Sequence, residues 1–95
     1  METQKELRGR IDELDKEMMA LFEARMAVSV KIAEYKHKND IPIFDEQREE
    51  TVVHKNVKRL EDETLERHAA SFFRHLMALS RKRQHENING QKISH

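Results

Sequence analysis

The stretch IDELDKEMMALFEARMAVSVKIAEY, residues 11–35, carries the pattern that decides the fold. Eight of its positions follow the alternating three-and-four spacing of a heptad repeat, and all but one are apolar or aromatic. They are Ile11, Leu14, Met18, Leu21, Arg25, Val28, Ile32 and Tyr35. The stretch therefore predicts a long amphipathic helix that packs along this face, which we call the seam.

Arg25 is the exception in the middle of the seam. A guanidinium cannot lose its proton and is costly to bury unpaired, so a packed Arg25 needs an anion from a facing chain or from a ligand. The alternative is that its side chain reaches past the seam to water.

Composition indicates a helical protein of one domain. The chain has 95 residues, 38% of them charged and 37% hydrophobic, with 2 Gly and 1 Pro. Strands would need more β-branched and aromatic residues. Equal numbers of acidic and basic residues, 18 of each, give no indication of a nucleic-acid partner.

The sequence also bounds location and chemistry. It contains neither an apolar run long enough to cross a bilayer nor a secretory signal, so we expect a cytoplasmic protein without membrane contact. The absence of Cys excludes disulfides and thiolate chemistry.

The first helix is predicted to begin after Thr3, an N-cap with Glu6 three residues on, and to end near Lys38. Such a helix is ~50 Å long, whereas a compact domain of this size is only ~30 Å across. A second chain must therefore cover part of the seam, and we predict an obligate homodimer.

Two shorter helices are predicted to follow. Asp45 is expected to cap the second helix, which ends around residues 59–62. The third is expected from about Glu63 to Gln84. The fold class is therefore all-α, with one long and two shorter helices per chain.

Beyond Gln84 both apolar content and periodicity disappear. We therefore expect one helical domain over residues 1–84 and a frayed or disordered tail over residues 85–95.

Cations on the first helix suggest a site for a small dianion. Arg25 and Lys36 lie about 20° apart around the helix and ~16 Å apart along it, so they could bracket such a ligand. Arg8 lies ~25 Å before Arg25 and cannot reach that ligand within its own helix. In an antiparallel pair of long helices it could reach the partner's site.

Polar residues at the ends of the other two helices could converge on the same place. They are Asp45, Arg48 and Glu49 at the start of the second helix, and Ser80 and Gln84 at the end of the third. Each group taken alone has an ordinary interpretation as a cap, surface charges or a helix end. They all project from the ends of apolar stripes, which favours convergence.

No pattern indicates a metal site or a covalent catalyst. The six His residues form neither a His-x-x-x-His pair nor an HExxH motif, and the chain has no Gly-rich phosphate loop. Ser80 lies near His75 in sequence but on a different helical face.

Taken together, these residues resemble the all-helical class of chorismate mutase. The similarity runs from about Leu7 to Gln84. Its three blocks are residues 7–15 with Leu21, Arg25 and Lys36 after them, residues 42–49, and residues 80–84. Each block alone is a weak signal, whereas all three in order are specific.

The resemblance implies an intertwined six-helix homodimer with two equivalent sites. Arg25 would hold one substrate carboxylate, and Arg8 from the partner chain would hold the other. Arg48 and Ser80 would complete the carboxylate contacts. With Lys36, these residues would make the site positive enough for a dicarboxylate.

It further implies which groups meet the reacting atoms. Lys36 would reach a carboxylate and the ether oxygen, and Gln84 would donate to that oxygen from the opposite side. Glu49 and the backbone at Asp45 would hydrogen-bond the ring hydroxyl of the substrate. The catalytic set would be Lys36, Gln84 and Arg25.

The implied reaction is the Claisen rearrangement of chorismate to prephenate in aromatic amino-acid biosynthesis, a branch of the shikimate pathway. It needs neither cofactor nor metal. One alternative keeps the fold and changes the reaction to that of an isochorismate pyruvate lyase. Another is a non-catalytic helical dimerisation module, with Arg25 paired to a carboxylate of the facing helix. The length leaves open whether the chain is free-standing or part of a longer fusion.

Overall fold

The computed structural model describes residues 1–93 and, over these residues, consists of helices without strands. The helices are α1 (Gln4–Lys38), α2 (Glu46–Val57) and α3 (Glu66–Ile93), with a single 3₁₀ turn at Glu63–Leu65 before α3. The predicted all-helical class is confirmed. No helix in this part of the chain is both long and apolar enough to cross a membrane.

α1 begins and ends where the sequence predicts. The hydroxyl of Thr3 accepts a hydrogen bond from the backbone N–H of Glu6 at 3.2 Å. At the other end Asp40 adopts a left-handed conformation with φ of 56°. The N–H of Ile41 then bonds the carbonyl of Lys36 at 2.8 Å, closing the helix in a Schellman motif. Asp tolerates this conformation better than most non-glycine residues.

α2 begins as predicted and ends earlier than predicted. Asp45 Oδ1 accepts from the backbone N–H of Arg48 at 3.0 Å, which makes Asp45 the N-cap. The helix ends at Val57, and a turn with backbone hydrogen bonds over residues 58–60 follows it. Asp62 then caps the 3₁₀ turn, and hydrogen bonds from the side chain and the backbone of Thr64 lower the pKa of its exposed carboxyl.

α3 is longer than predicted. It continues nine residues past Gln84 to Ile93, so the predicted end of the third helix near Gln84 is wrong; residues 94–95 lie outside the described part. Ser80, Gln84 and Ile88 are all buried at four-residue spacing, so the inner face continues for another turn. Ile88, with only polar residues and Gly90 around it, is too weak a periodic signal to indicate this from sequence.

α3 packs against both other helices. It runs parallel to α1. Arg25 of α1 contacts Ser80 of α3, and four residues further along each helix Ser29 contacts Gln84. Over residues 1–90, whose burial is described, the buried apolar residues are few: Ala33, Val53, Met77 and Ile88. Of these residues, Met77 also lines the cavity described below.

The seam is left uncovered within one protomer. Its seven apolar and aromatic members are between 45% and 71% exposed. The radius of gyration is 17.0 Å, against about 12 Å for a compact chain of this length. The accessible surface is 8167 Å², against about 5,800 Å² for a folded monomer of this mass. The protomer thus keeps roughly 2,400 Å² more surface than a self-contained domain would.

Candidate functional site

A cavity of about 270 Å³ lies between the C-terminal half of α1, the start of α2 and the middle of α3. Seven of the eight residues predicted for the site line it: Arg25, Lys36, Asp45, Arg48, Glu49, Ser80 and Gln84. The apolar part of its wall includes Val28, Ile32, Val52 and Met77. The predicted convergence of the three helices is therefore present in the fold.

Arg25 is half-buried and turned toward α3. Its Nη1 donates to Ser80 Oγ at 2.9 Å, and the Ser80 side chain is buried. A guanidinium has five N–H donors in a fixed planar arrangement, so this one bond orients Arg25 and leaves other donors for an anion. The geometry disfavours the alternative in which Arg25 reaches freely into water.

Lys36 closes the cavity at the end of α1. Its Nζ donates to the backbone carbonyl of Ile43 at 2.9 Å, which ties the helix to the loop before α2. An ammonium carries three donors, so two remain. Lys36 is half-buried, which keeps this charge close to whatever occupies the cavity.

Gln84 supplies a neutral donor from the α3 side. Its side chain is buried, and Nε2 donates to the carbonyl oxygen of Ser29 at 3.0 Å. An amide nitrogen has two hydrogens, so the second is available to the cavity. The bond to α1 fixes the position of that donor without using it.

Asp45 and Arg48 lie at the start of α2. The ordinary interpretation of Asp45 as a cap is correct, and the same residue also lines the cavity. The Arg48 side chain is exposed at the rim.

Arg81 is the residue that the sequence analysis missed. It lines the cavity, and its Nη1 contacts Glu49 Oε1 at 2.5 Å and Oε2 at 2.7 Å. The run Arg81-Lys82-Arg83 is typical of a solvated basic cluster, and the other two residues are exposed. The available signal was the position of Arg81 next to Ser80 and three residues before Gln84, on the edge of the inner face.

The cavity is positively charged within one chain. Its cations are Arg25, Lys36, Arg48 and Arg81, and its carboxylates are Asp45 and Glu49. Over the described residues, only the Arg81 cation in this set forms an ion pair. The remaining cations suit a small dianion held by hydrogen-bond donors of fixed orientation.

Arg8 is the predicted site residue that one chain does not bring to the cavity. It lies in the N-terminal half of α1, where every residue up to Leu21 is exposed. Its contribution from a second protomer stays a prediction.

Fold and site together define a class of protein: a three-helix chain with a cationic, donor-lined cavity. The chain matches the family described as Chorismate mutase type II over residues 7–85, and it belongs to that family. This confirms the resemblance drawn from the three sequence blocks.

One curated relative is the T-protein of Haemophilus influenzae. It is 36% identical over 63 residues, a match that covers 66% of this chain and 16% of the T-protein. The chain thus corresponds to a small part of that relative's length. A comparison with solved structures gave no significant match.

Proposed function

We propose that this protein converts chorismate to prephenate in the cavity between its three helices. The observation that carries the proposal is the convergence of Arg25, Lys36, Ser80 and Gln84 on one 270 Å³ space with an excess of positive charge. Family membership supports the same reaction.

The reaction requires only that the protein position the substrate and stabilise the charge of the transition state. An intramolecular Claisen rearrangement breaks one C–O bond and forms one C–C bond without a nucleophile or a proton transfer. The protein has to hold the enolpyruvyl arm over the ring and stabilise the charge that develops on the ether oxygen. Donors fixed in advance do this without reorganising during the reaction.

Lys36 and Gln84 are assigned to the ether oxygen. Each already donates one hydrogen bond within the fold, to Ile43 and Ser29 respectively, and each has donors left. Arg25, oriented by Ser80, is assigned to a carboxylate, where a planar guanidinium can bind both oxygens.

The active form in this proposal is an intertwined homodimer of six helices. Its support is the exposed seam and the excess accessible surface of about 2,400 Å² per protomer, which falls in the range of large obligate interfaces when two protomers pair. An apolar groove of about 440 Å³ between α1 and α3, lined by residues such as Phe22, Phe72 and Leu76, belongs to the same uncovered surface.

Arg8 of the second protomer completes the site in this arrangement. Antiparallel pairing of the two long helices could bring Arg8 of one chain beside the Arg25–Lys36 stretch of the other. The second arginine then meets the second carboxylate of the substrate. The role in aromatic amino-acid biosynthesis and the cytoplasmic location are parts of the same proposal.

The direct test is to incubate the purified protein with chorismate and identify the product, with a Lys36→Ala variant as the matched control. Prephenate formed by the parent and not by the variant is expected. Isochorismate is supplied in parallel, and release of pyruvate from it instead would assign the lyase reaction. Turnover of neither compound would contradict an enzymatic role and favour the dimerisation module.

A further inference from the structure

Arg81 joins three elements at the wall of the cavity. From α3 its guanidinium bonds Glu49 of α2, and its Cζ lies 4.7 Å from the ring centroid of Phe44 in the loop between α1 and α2. A cation over an aromatic face at this distance is held by the ring as well as by the carboxylate. The guanidinium is therefore fixed from two sides.

A second ion pair between the same two helices gives a reference. Arg74 of α3 pairs with Glu50 of α2 at 3.1 Å, with side chains that are 53% and 61% exposed. The Arg81 and Glu49 side chains are 30% and 21% exposed, and their contact is shorter. Exposed pairs are screened and contribute little, whereas a partly buried pair orients its members more strongly. The two pairs connect the same helices, but only one of them lines the cavity.

We infer that Arg81 is a positioning residue that holds the Glu49 carboxylate in the orientation from which it accepts the substrate's ring hydroxyl. The inference rests on the proposed function and adds to it a residue outside the eight assigned from sequence. A carboxylate has about four lone-pair sites, so the contacts with Arg81 leave sites that can face the cavity.

Arg81 also offsets the charge of Glu49. A bare carboxylate in the wall would repel a dianionic substrate, and the paired one does so less. With the charge of Glu49 offset in this way, Arg25 and Lys36 attract the dianionic substrate with less opposing repulsion. Loss of Arg81 thus misplaces an acceptor and exposes a repulsive charge.

The experiment measures kcat and KM for Arg81→Met and Arg81→Lys, each in the parent and in a Glu49→Gln background. The control variant is Arg74→Met, which breaks the other ion pair between α2 and α3. Arg81→Met is expected to lower kcat/KM by about tenfold or more, mainly by raising KM, because a hydroxyl contact is made in the ground state as well as in the transition state. Arg81→Lys should recover part of this loss, because it keeps the charge without the planar fork.

In the Glu49→Gln background the Arg81→Met effect should shrink to less than about threefold, since the carboxylate it positions is gone. Arg74→Met should stay within about twofold of the parent. A structural role would instead lower activity and melting temperature alike in both backgrounds. Circular dichroism and thermal melting identify that case.

Three results overturn the inference. One is an Arg81→Met variant as active as the parent, which leaves the proposed function intact. Another is an equal loss in the presence and absence of the Glu49 carboxylate. If Arg81→Met does not fold, an Arg81→Lys variant with the same kcat/KM as the parent overturns it equally. A parent protein without turnover of chorismate contradicts the proposed function itself, and the role of Arg81 with it.

Discussion

The two halves of α1 share the same heptad spacing, but only the C-terminal half also has buried residues on the side that faces the cavity. In the C-terminal half Ser29 and Ala33 are buried, and Arg25 and Lys36 are tied to the rest of the chain by hydrogen bonds. In the N-terminal half every residue through Leu21 is exposed. One half lines the cavity within its own chain, and in the proposed dimer the other would present an apolar face and Arg8 to a second chain.

This difference explains why a 95-residue chain contains a helix that its own fold cannot cover. A seam of leucine, isoleucine and methionine left in water forgoes about 1.5–3 kcal/mol per large side chain. The small core beside the cavity has few residues with which to offset that loss. The apolar seam therefore adds to stability only if a partner chain buries it. The same partner could then supply a cation to the cavity.

The largest expected effect is on the cavity half. Arg25→Ala or Lys36→Ala should lower kcat/KM by at least about two orders of magnitude, since removing one preorganised donor elsewhere costs roughly 3–4 kcal/mol in the barrier. Steady-state kinetics with chorismate measures the loss. Circular dichroism and sedimentation should show an unchanged fold and assembly. Near-parent activity in either variant would remove that residue from the site.

The second largest effect is expected on dimer assembly, from a substitution in the exposed N-terminal half of α1. Leu14→Glu puts a charge in the N-terminal part of the seam, and two-fold symmetry would repeat it in the partner. We expect the dimer dissociation constant to rise by about a hundredfold or more, measured by analytical ultracentrifugation. The matched control is Lys16→Glu, which adds a negative charge on the same exposed stretch outside the seam. Equal assembly of both variants would contradict the pairing of the long helices through the seam.

The smallest effect is expected far from both halves, at the turn between α2 and α3. Hydrogen bonds from Thr64 lower the pKa of Asp62, so the folded state favours its ionised form. Its contribution to stability is present at neutral pH and is lost as the pH falls below the ordinary carboxyl range. Asp62→Ala should therefore lower Tm slightly at pH 7 and by a smaller amount in strong acid, where the carboxyl is protonated. A loss of Tm that is the same at both pH values would show that the charge is not involved.

Local signals in the sequence predicted much of this fold. Both ends of α1 and the start of α2 were correct, because Thr3 and Asp45 are strong capping residues and Pro42 follows the turn. Seven candidate site residues line one cavity, because the inner faces of α1 and α3 and the capped start of α2 bring them together.

The errors came from positions where one tertiary contact outweighs the local pattern. Buried Ile88 extends the inner face of α3 into a polar segment, and the sequence there has no apolar periodicity that predicts this extension. Arg81 is followed by two basic residues, a pattern typical of solvent-exposed side chains. Its contacts with Glu49 and Phe44 instead hold it at the cavity wall. The contribution of Arg8 depends on a second chain, so it stays a prediction.

The most direct test of the division between the two halves is to mix two inactive variants. An Arg8→Ala chain keeps Arg25, and an Arg25→Ala chain keeps Arg8, so a mixed dimer of the two has one site with both arginines and one with neither. After co-refolding at equal concentrations, random pairing makes half of the dimers mixed, and activity toward chorismate should recover to about a quarter of the parent value. Activity no higher than the average of the two separate variants would contradict a site shared between two chains.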